Sequence, residues 1–153
     1  MNEFFSKLDM LFAEGDQKKI ERFLSEQILR CDEENRIEEK ITVQNELAGF
    51  LRGAGRYKDS TDCFEACLKS MRALNMEKTV QYATVLLNYA GTLRLAGQTD
   101  DSLKMFDSVK KLLEQLGETK SYAYLSALNN MALTYMSIGD DAKAETMTES
   151  VLN

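Results

Sequence analysis

The sequence contains no histidine, which excludes His-dependent triads, imidazole general bases and every metal site built on imidazole. Proline is also missing, against an average usage of about 5%, and a chain without that interruption suits long unbroken helices. Cysteine is scarce: Cys31, Cys63 and Cys67 cannot all pair within one chain, and their spacing outlines no disulfide framework. Cys63 and Cys67 stand four apart and share a face of a helix. With one further cysteine and no histidine, four soft zinc ligands cannot be assembled, so both are read as small core residues, and no metal or other cofactor is expected. No apolar run approaches the ~18 residues of a membrane span. The opening Met1-Asn2-Glu3-Phe4-Phe5-Ser6-Lys7 has an acid where a signal peptide carries basic charge. A cytoplasmic chain without a membrane partner is the expectation.

What is present is the composition of a folded protein. The 153 residues are 44% hydrophobic and 29% charged, enough for one domain, 1–153, with a sizeable core of its own. The net charge of −6 is uneven. Residues 1–40 carry 7 basic and 11 acidic groups, 41–110 carry 9 and 8, and 111–153 carry 3 and 6. The near-neutral middle has no stripe of Lys/Arg with interleaved aromatics, so the clustered cations that neutralise phosphates are lacking and no nucleic-acid partner is expected. Asp100-Asp101 and Asp140-Asp141 are not catalytic pairs, because sequence neighbours do not face each other on a helix. Phosphate-cradling loops and nucleophile elbows are absent as well. The chain is expected not to be an enzyme.

A repeat organises the sequence. Gly55, Gly97 and Gly139 are spaced by 42 residues and again by 42. Ala48, Ala90 and Ala132 precede them in register, Ser60, Ser102 and Ala144 follow, and Phe64 and Phe106 recur at the same step. Over the 25 residues starting at Asn45 and at Leu87, ten are identical. Before each glycine, Val43-Leu47-Phe50-Leu51-Ala54 and Leu86-Tyr89-Ala90-Leu93 recur at three- and four-residue steps, one apolar face of a helix. The glycine closes that helix. Asp59-Ser60, Asp100-Asp101-Ser102 and Asp140-Asp141 then open the next, where the dipole favours acids. Phe64-Cys67-Leu68-Met71 and Leu103-Phe106-Val109-Leu112-Leu113-Leu116 form the second apolar face. Gly117 and Asn75 end those helices, and Glu77 or Glu118 opens the following one.

A looser unit occupies 3–36, with Phe4-Leu8-Leu11-Phe12 and Ile20-Phe23-Leu24-Ile28 around Gly15-Asp16. It is followed by units over 37–76, 77–118 and 119–153. Such helix pairs cannot bury their faces alone, so the expected fold is all-α: a right-handed α-solenoid of about four helix–turn–helix pairs.

The spacing small–x₂–Leu/Tyr–x₃–Gly–x₄–Ser/Ala–x₃–Phe resembles the tetratricopeptide repeat. Leu128-Asn129-Asn130-Met131-Ala132-Leu133-Thr134-Tyr135, followed by Gly139 and Ala144, carries the best single match. The 42-residue period is similar to the kinesin-light-chain type and to the helical-repeat domains of bacterial peptide-sensing regulators. The third copy departs from the pattern where Thr148 replaces Phe, and no capping helix follows Asn153. An uncapped end exposes apolar surface. Either it self-associates as a homo-oligomer, with Val151 and Leu152 on the stacking face, or the chain continues in a longer protein.

The resemblance implies a protein or peptide partner held in a concave groove lined by the first helix of each pair. Carried over by position, the groove takes Thr42, Asn45, Glu46, Gly49 and Arg52 from one unit. The next gives Thr84, Leu87, Asn88, Gly91 and Arg94, and the last gives Ser126, Asn129, Asn130, Leu133 and Met136. Asparagine amides suit an extended peptide, because they donate and accept; arginine suits a carboxylate. The family's chaperone-binding members use lysines at these positions, and none stands here, which argues against a carboxylate clamp. Mid-helix Gly49 and Gly91 are read as allowing close approach, more by a neighbouring helix than by a ligand. Tyr82 and Tyr124 are candidate rim contacts, and Met136 is a candidate adaptable contact. The leading expectation is an interaction module. A self-assembling scaffold and the peptide-sensing part of a bacterial regulator are the alternatives.

Overall fold

The computed structural model describes residues 1–152, with side chains through Ser150. Val151 and Leu152, the expected stacking face of the last pair, therefore lie outside the described side chains. Among the described residues there are eight α-helices and no strand. The chain divides into two compact units, Met1–Ser70 and Met71 onward.

The first unit holds α1 (Asn2–Glu14), α2 (Gln17–Glu33), α3 (Ile37–Gly53) and most of α4 (Tyr57–Ala73). Phe4, Leu8 and Leu11 of α1 meet Ile20 and Leu24 of α2 and Val43 of α3 in one buried cluster. The Phe4 and Phe23 rings stack there with centroids 5.6 Å apart. On α4, Phe64, Cys67 and Leu68 are buried. The Cys63 thiol donates to the Gln44 carbonyl at 3.2 Å and the Cys67 thiol to the Ile41 carbonyl at 3.5 Å. Burial pushes the two thiols up to about 11 and about 12, respectively. Cys67 is thus a core group, whereas Cys63 is only half-buried, and a thiol held protonated is a poor nucleophile.

The second unit holds the last turn of α4 with α5 (Val80–Leu95), α6 (Thr99–Gln115), α7 (Tyr122–Ser137) and α8 (Asp141–Leu152). Its core gathers Ala83, Leu87 and Ala90 from α5, Phe106, Val109 and Leu113 from α6, and Ala123, Ala127 and Met131 from α7. Full burial of a side chain such as Phe106 is worth about 1.5–3 kcal/mol. The equivalent position in α8 is Thr148, which bonds its own helix at Ala144 and is exposed. The last pair thus lacks the aromatic anchor of its predecessors.

Helix boundaries follow from local chemistry. After α5 the backbone enters the left-handed region at Gly97 (φ 80), and the Gln98 N–H reaches back to the Leu93 carbonyl at 2.9 Å. Asn35 and Asn75 take the same conformation at φ 55 and 56, which asparagine tolerates through local polar bonding. The starts of α5 and α7 differ from expectation. Glu77 and Glu118 stay in the preceding turns, and Thr79 and Ser121 cap instead, accepting from the N–H of Tyr82 at 3.1 Å and of Tyr124 at 3.2 Å. Each hydroxyl also donates to a carbonyl three residues back, at Met76 and at Glu118, so these caps satisfy two backbone groups at once.

Candidate interaction face

The first helices of the second unit, α5 and α7, pack side by side. Positions spaced by three and four on one face of α7 are Ser126, Asn129, Asn130, Leu133 and Met136. Leu133 is 45% and Met136 57% exposed, and Asn129 is exposed beside them. Large apolar side chains held in water next to amides give a surface with both anchoring and hydrogen-bonding capacity. The Asn130 amide donates to the Ser126 carbonyl at 2.8 Å and to its hydroxyl at 3.3 Å. That fixes the side chain, so its carbonyl oxygen is the part free to accept. Met136 is thus exposed where the sequence makes it a candidate adaptable contact.

On α5 the face is narrower. Thr84 is exposed and bonds its own helix at the Val80 carbonyl. Asn88, Gly91 and Arg94 are half-buried. Leu87 does not belong to this surface: it is only 8% exposed and lies in the core cluster against α6 and α7. Its place in the repeat is that of exposed Asn129, but a leucine there turns into the core.

In the first unit, Thr42, Asn45, Glu46, Gly49 and Arg52 are all half-buried along α3. Burial raises the carboxyl of Glu46 above the ordinary range, and the nearby charge of Asp9 adds to the shift. A Cβ built on Gly49 would meet nothing within 4 Å. Helix packing therefore does not require this glycine, contrary to the expectation from sequence.

Two buried side-chain polar atoms stand without a hydrogen-bond partner among the described residues, Oδ1 of Asn45 and Nε of Arg94. Both belong to residues carried over as groove positions. An unmet buried donor or acceptor costs about 1–3 kcal/mol, which makes such atoms uncommon in a settled interior.

The expected rim tyrosines have structural work. Tyr82 accepts from the Arg72 guanidinium at 3.2 Å, and Tyr124 donates to the Glu114 carboxylate at 3.1 Å. One period apart, each ties the start of a first helix to the end of the helix before it. Sequence reasoning missed Phe12 as a surface group. The Phe4-Leu8-Leu11-Phe12 spacing places it on the α1 core face, yet it is 45% exposed with its ring 6.2 Å from that of Phe50.

Among the described residues no group of three potential ligands is placed to hold a metal ion, and no helix is long and apolar enough to cross a membrane.

BtubC (BKLC) from P. vanneervenii superposes with a TM-score of 0.87 at 22% identity, over 99% of this chain and 60% of that one. A Podosopora anserina protein described as having kinesin light chain nearly identical TPR-like repeats gives 0.77 at 15% identity, over 94% and 69%. PlcR of Bacillus thuringiensis, solved in complex with the peptide PapR7 and DNA, gives 0.65 at 14% identity, over 98% and 61%. The chain thus spans about 60% of the length of the first of these structures. At such identities the likeness is one of fold, an all-α helical-repeat solenoid. The curated proteins include no match. A family model described as tetratricopeptide repeat matches residues 39–115 and again 81–153, the stretch over which the 42-residue register and its helix pairs recur. On that match and that register, this chain belongs to the tetratricopeptide repeat family.

Proposed function

We propose that this protein is a non-catalytic interaction module that holds a peptide or helix of a partner protein on the α5–α7 face of its second unit. The observation that carries the reading is the α7 face, where Leu133 and Met136 stand exposed as apolar anchors beside the amide of Asn129. The guanidinium of Arg94, on α5 of the same unit, suits a carbonyl or carboxylate. Further support comes from PlcR, a structural neighbour that carries a bound peptide.

The test is selection from a random peptide library displayed on phage, against the wild type and against Arg94→Glu combined with Asn88→Ala. A consensus enriched by the wild type and lost by the variant, with helicity unchanged by circular dichroism, is the expected result. Equal enrichment by both proteins would remove the face from consideration.

A further inference from the structure

A second recognition feature lies wholly in the first unit. A cleft of about 530 Å³ opens between the end of α1, the start of α2 and the C-terminal half of α3. Its floor is aromatic, with the Phe12 and Phe50 rings 6.2 Å apart. Its wall is bare, because Gly49 and Gly53 stand one helical turn apart on α3, and a Cβ on either would meet nothing within 4 Å. Glycine weakens a helix interior, and no neighbouring group among the described residues needs the space.

The charges at the two ends differ. At one end is Glu46, with the charge of Asp9 nearby. Neither acid is held by a cation among the described residues. At the other is Arg52, also without an ion pair there. Six residues of helix separate Glu46 from Arg52, roughly 9 Å along the axis, a span that an extended segment covers in about three residues.

We propose that this cleft docks a segment of a partner protein in which a lysine or arginine stands beside a large apolar residue. The cation neutralises the Asp9–Glu46 pair, and the apolar side chain lies on Phe12 and Phe50 against the bare glycine wall. Arg52 repels a second cation and faces a carbonyl or acid further along, which fixes the direction of the segment. Burial of the Glu46 carboxyl agrees with this, since an acid disfavoured in the free protein gains most from an incoming cation. The site is independent of the α5–α7 reading, as all its groups lie in the first unit.

The experiment uses the full chain, ¹⁵N-labelled, and two amidated hexapeptide pools with random flanks, one with Lys-Leu fixed at the centre and one with Glu-Leu. The Lys-Leu pool is expected to shift the amides of Gly49 and Gly53, and the Glu-Leu pool to bind at least tenfold more weakly. Gly49→Leu fills the cleft while favouring the helix, so it should abolish the shifts at Gly53 and raise the melting temperature. Arg94→Glu with Asn88→Ala should leave them intact, which separates failure here from failure of the α5–α7 reading. Absence of shifts with the Lys-Leu pool, equal binding of both pools, or binding that survives Gly49→Leu overturns the proposal. So do shifts that grow with protein concentration alone, which would assign the cleft to a second copy of the chain.

Discussion

The Ser102 hydroxyl donates to the carbonyl of Ala90, twelve residues back on the preceding helix, at 2.9 Å. One period earlier, Ser60 does the same to Ala48 at 2.7 Å. All four residues are fully buried, so each bond fastens the second helix of a pair to the first where alanine lets the backbones approach. The third copy has Ala132 and Ala144, both buried, and no hydroxyl to make the bond. Ser102→Ala should lower the unfolding free energy by about 1 kcal/mol, the net worth of one such bond. Ala144→Ser should raise it by a similar amount. Urea denaturation measures both, and a Ser102→Ala midpoint equal to wild type would contradict the account.

Two glycines should respond in opposite directions to the same substitution. Gly49 is mid-helix with open space where its Cβ would be, so Gly49→Ala should stabilise the protein by ~1 kcal/mol through helix propensity. Gly97 also has space, but it sits at φ 80. There alanine must adopt the left-handed conformation, and Gly97→Ala should cost roughly 1–2 kcal/mol. Thermal unfolding of the two variants side by side gives the signs directly. A destabilised Gly49→Ala would mean that the helix needs the glycine for a reason of its own.

Most of the helix content was legible in the sequence because the period of apolar residues and the closing glycines are local signals. Gly97, Gly117, Gly139 and Asn75 end helices as their positions imply. The starts were less legible: the acid Glu77 reads as the opener, and only the geometry shows the Thr79 hydroxyl at the Tyr82 N–H. Side-chain direction was the weaker part of the site reading. Leu87 and Asn129 share a register position, yet one is buried and the other exposed, because hydrophobicity turns a borderline position inward. The cleft beside Gly49 was hidden for a different reason: it depends on how far α1 and α3 lie apart, and no residue pattern in either helix encodes that distance.

The thiols offer a test of core packing by pH. In the folded chain Cys63 and Cys67 are raised to about 11 and about 12, against an ordinary value of about 9. Below that ordinary value both states keep their protons and no penalty arises. As pH rises past it the unfolded chain ionises first, so stability present at lower pH is lost progressively toward the folded values. The melting temperature should therefore fall between about pH 9 and 11, and the slope should flatten in Cys63→Ala combined with Cys67→Ala. At pH 8 a thiol reagent should modify the buried Cys67 only as fast as the protein opens. Rapid labelling of Cys67 in native protein would show that the α4 face is not closed.

Arg94 separates stability from recognition. Its Nε is buried without a partner, a cost of about 1–3 kcal/mol. Against that stands the favourable placement of a cation in the last turn of α5, worth about 0.3–1 kcal/mol. The first magnitude exceeds the second, so Arg94→Met, which keeps the length and apolar stem, should leave the protein as stable as wild type or more so. The same variant should lose peptide binding on the α5–α7 face, because methionine cannot donate to a carbonyl or carboxylate. A residue kept only for packing would show the reverse: lower stability and unchanged binding. Denaturant midpoint and peptide affinity, measured on one preparation, distinguish the two, and a drop in midpoint with binding intact would return Arg94 to the core.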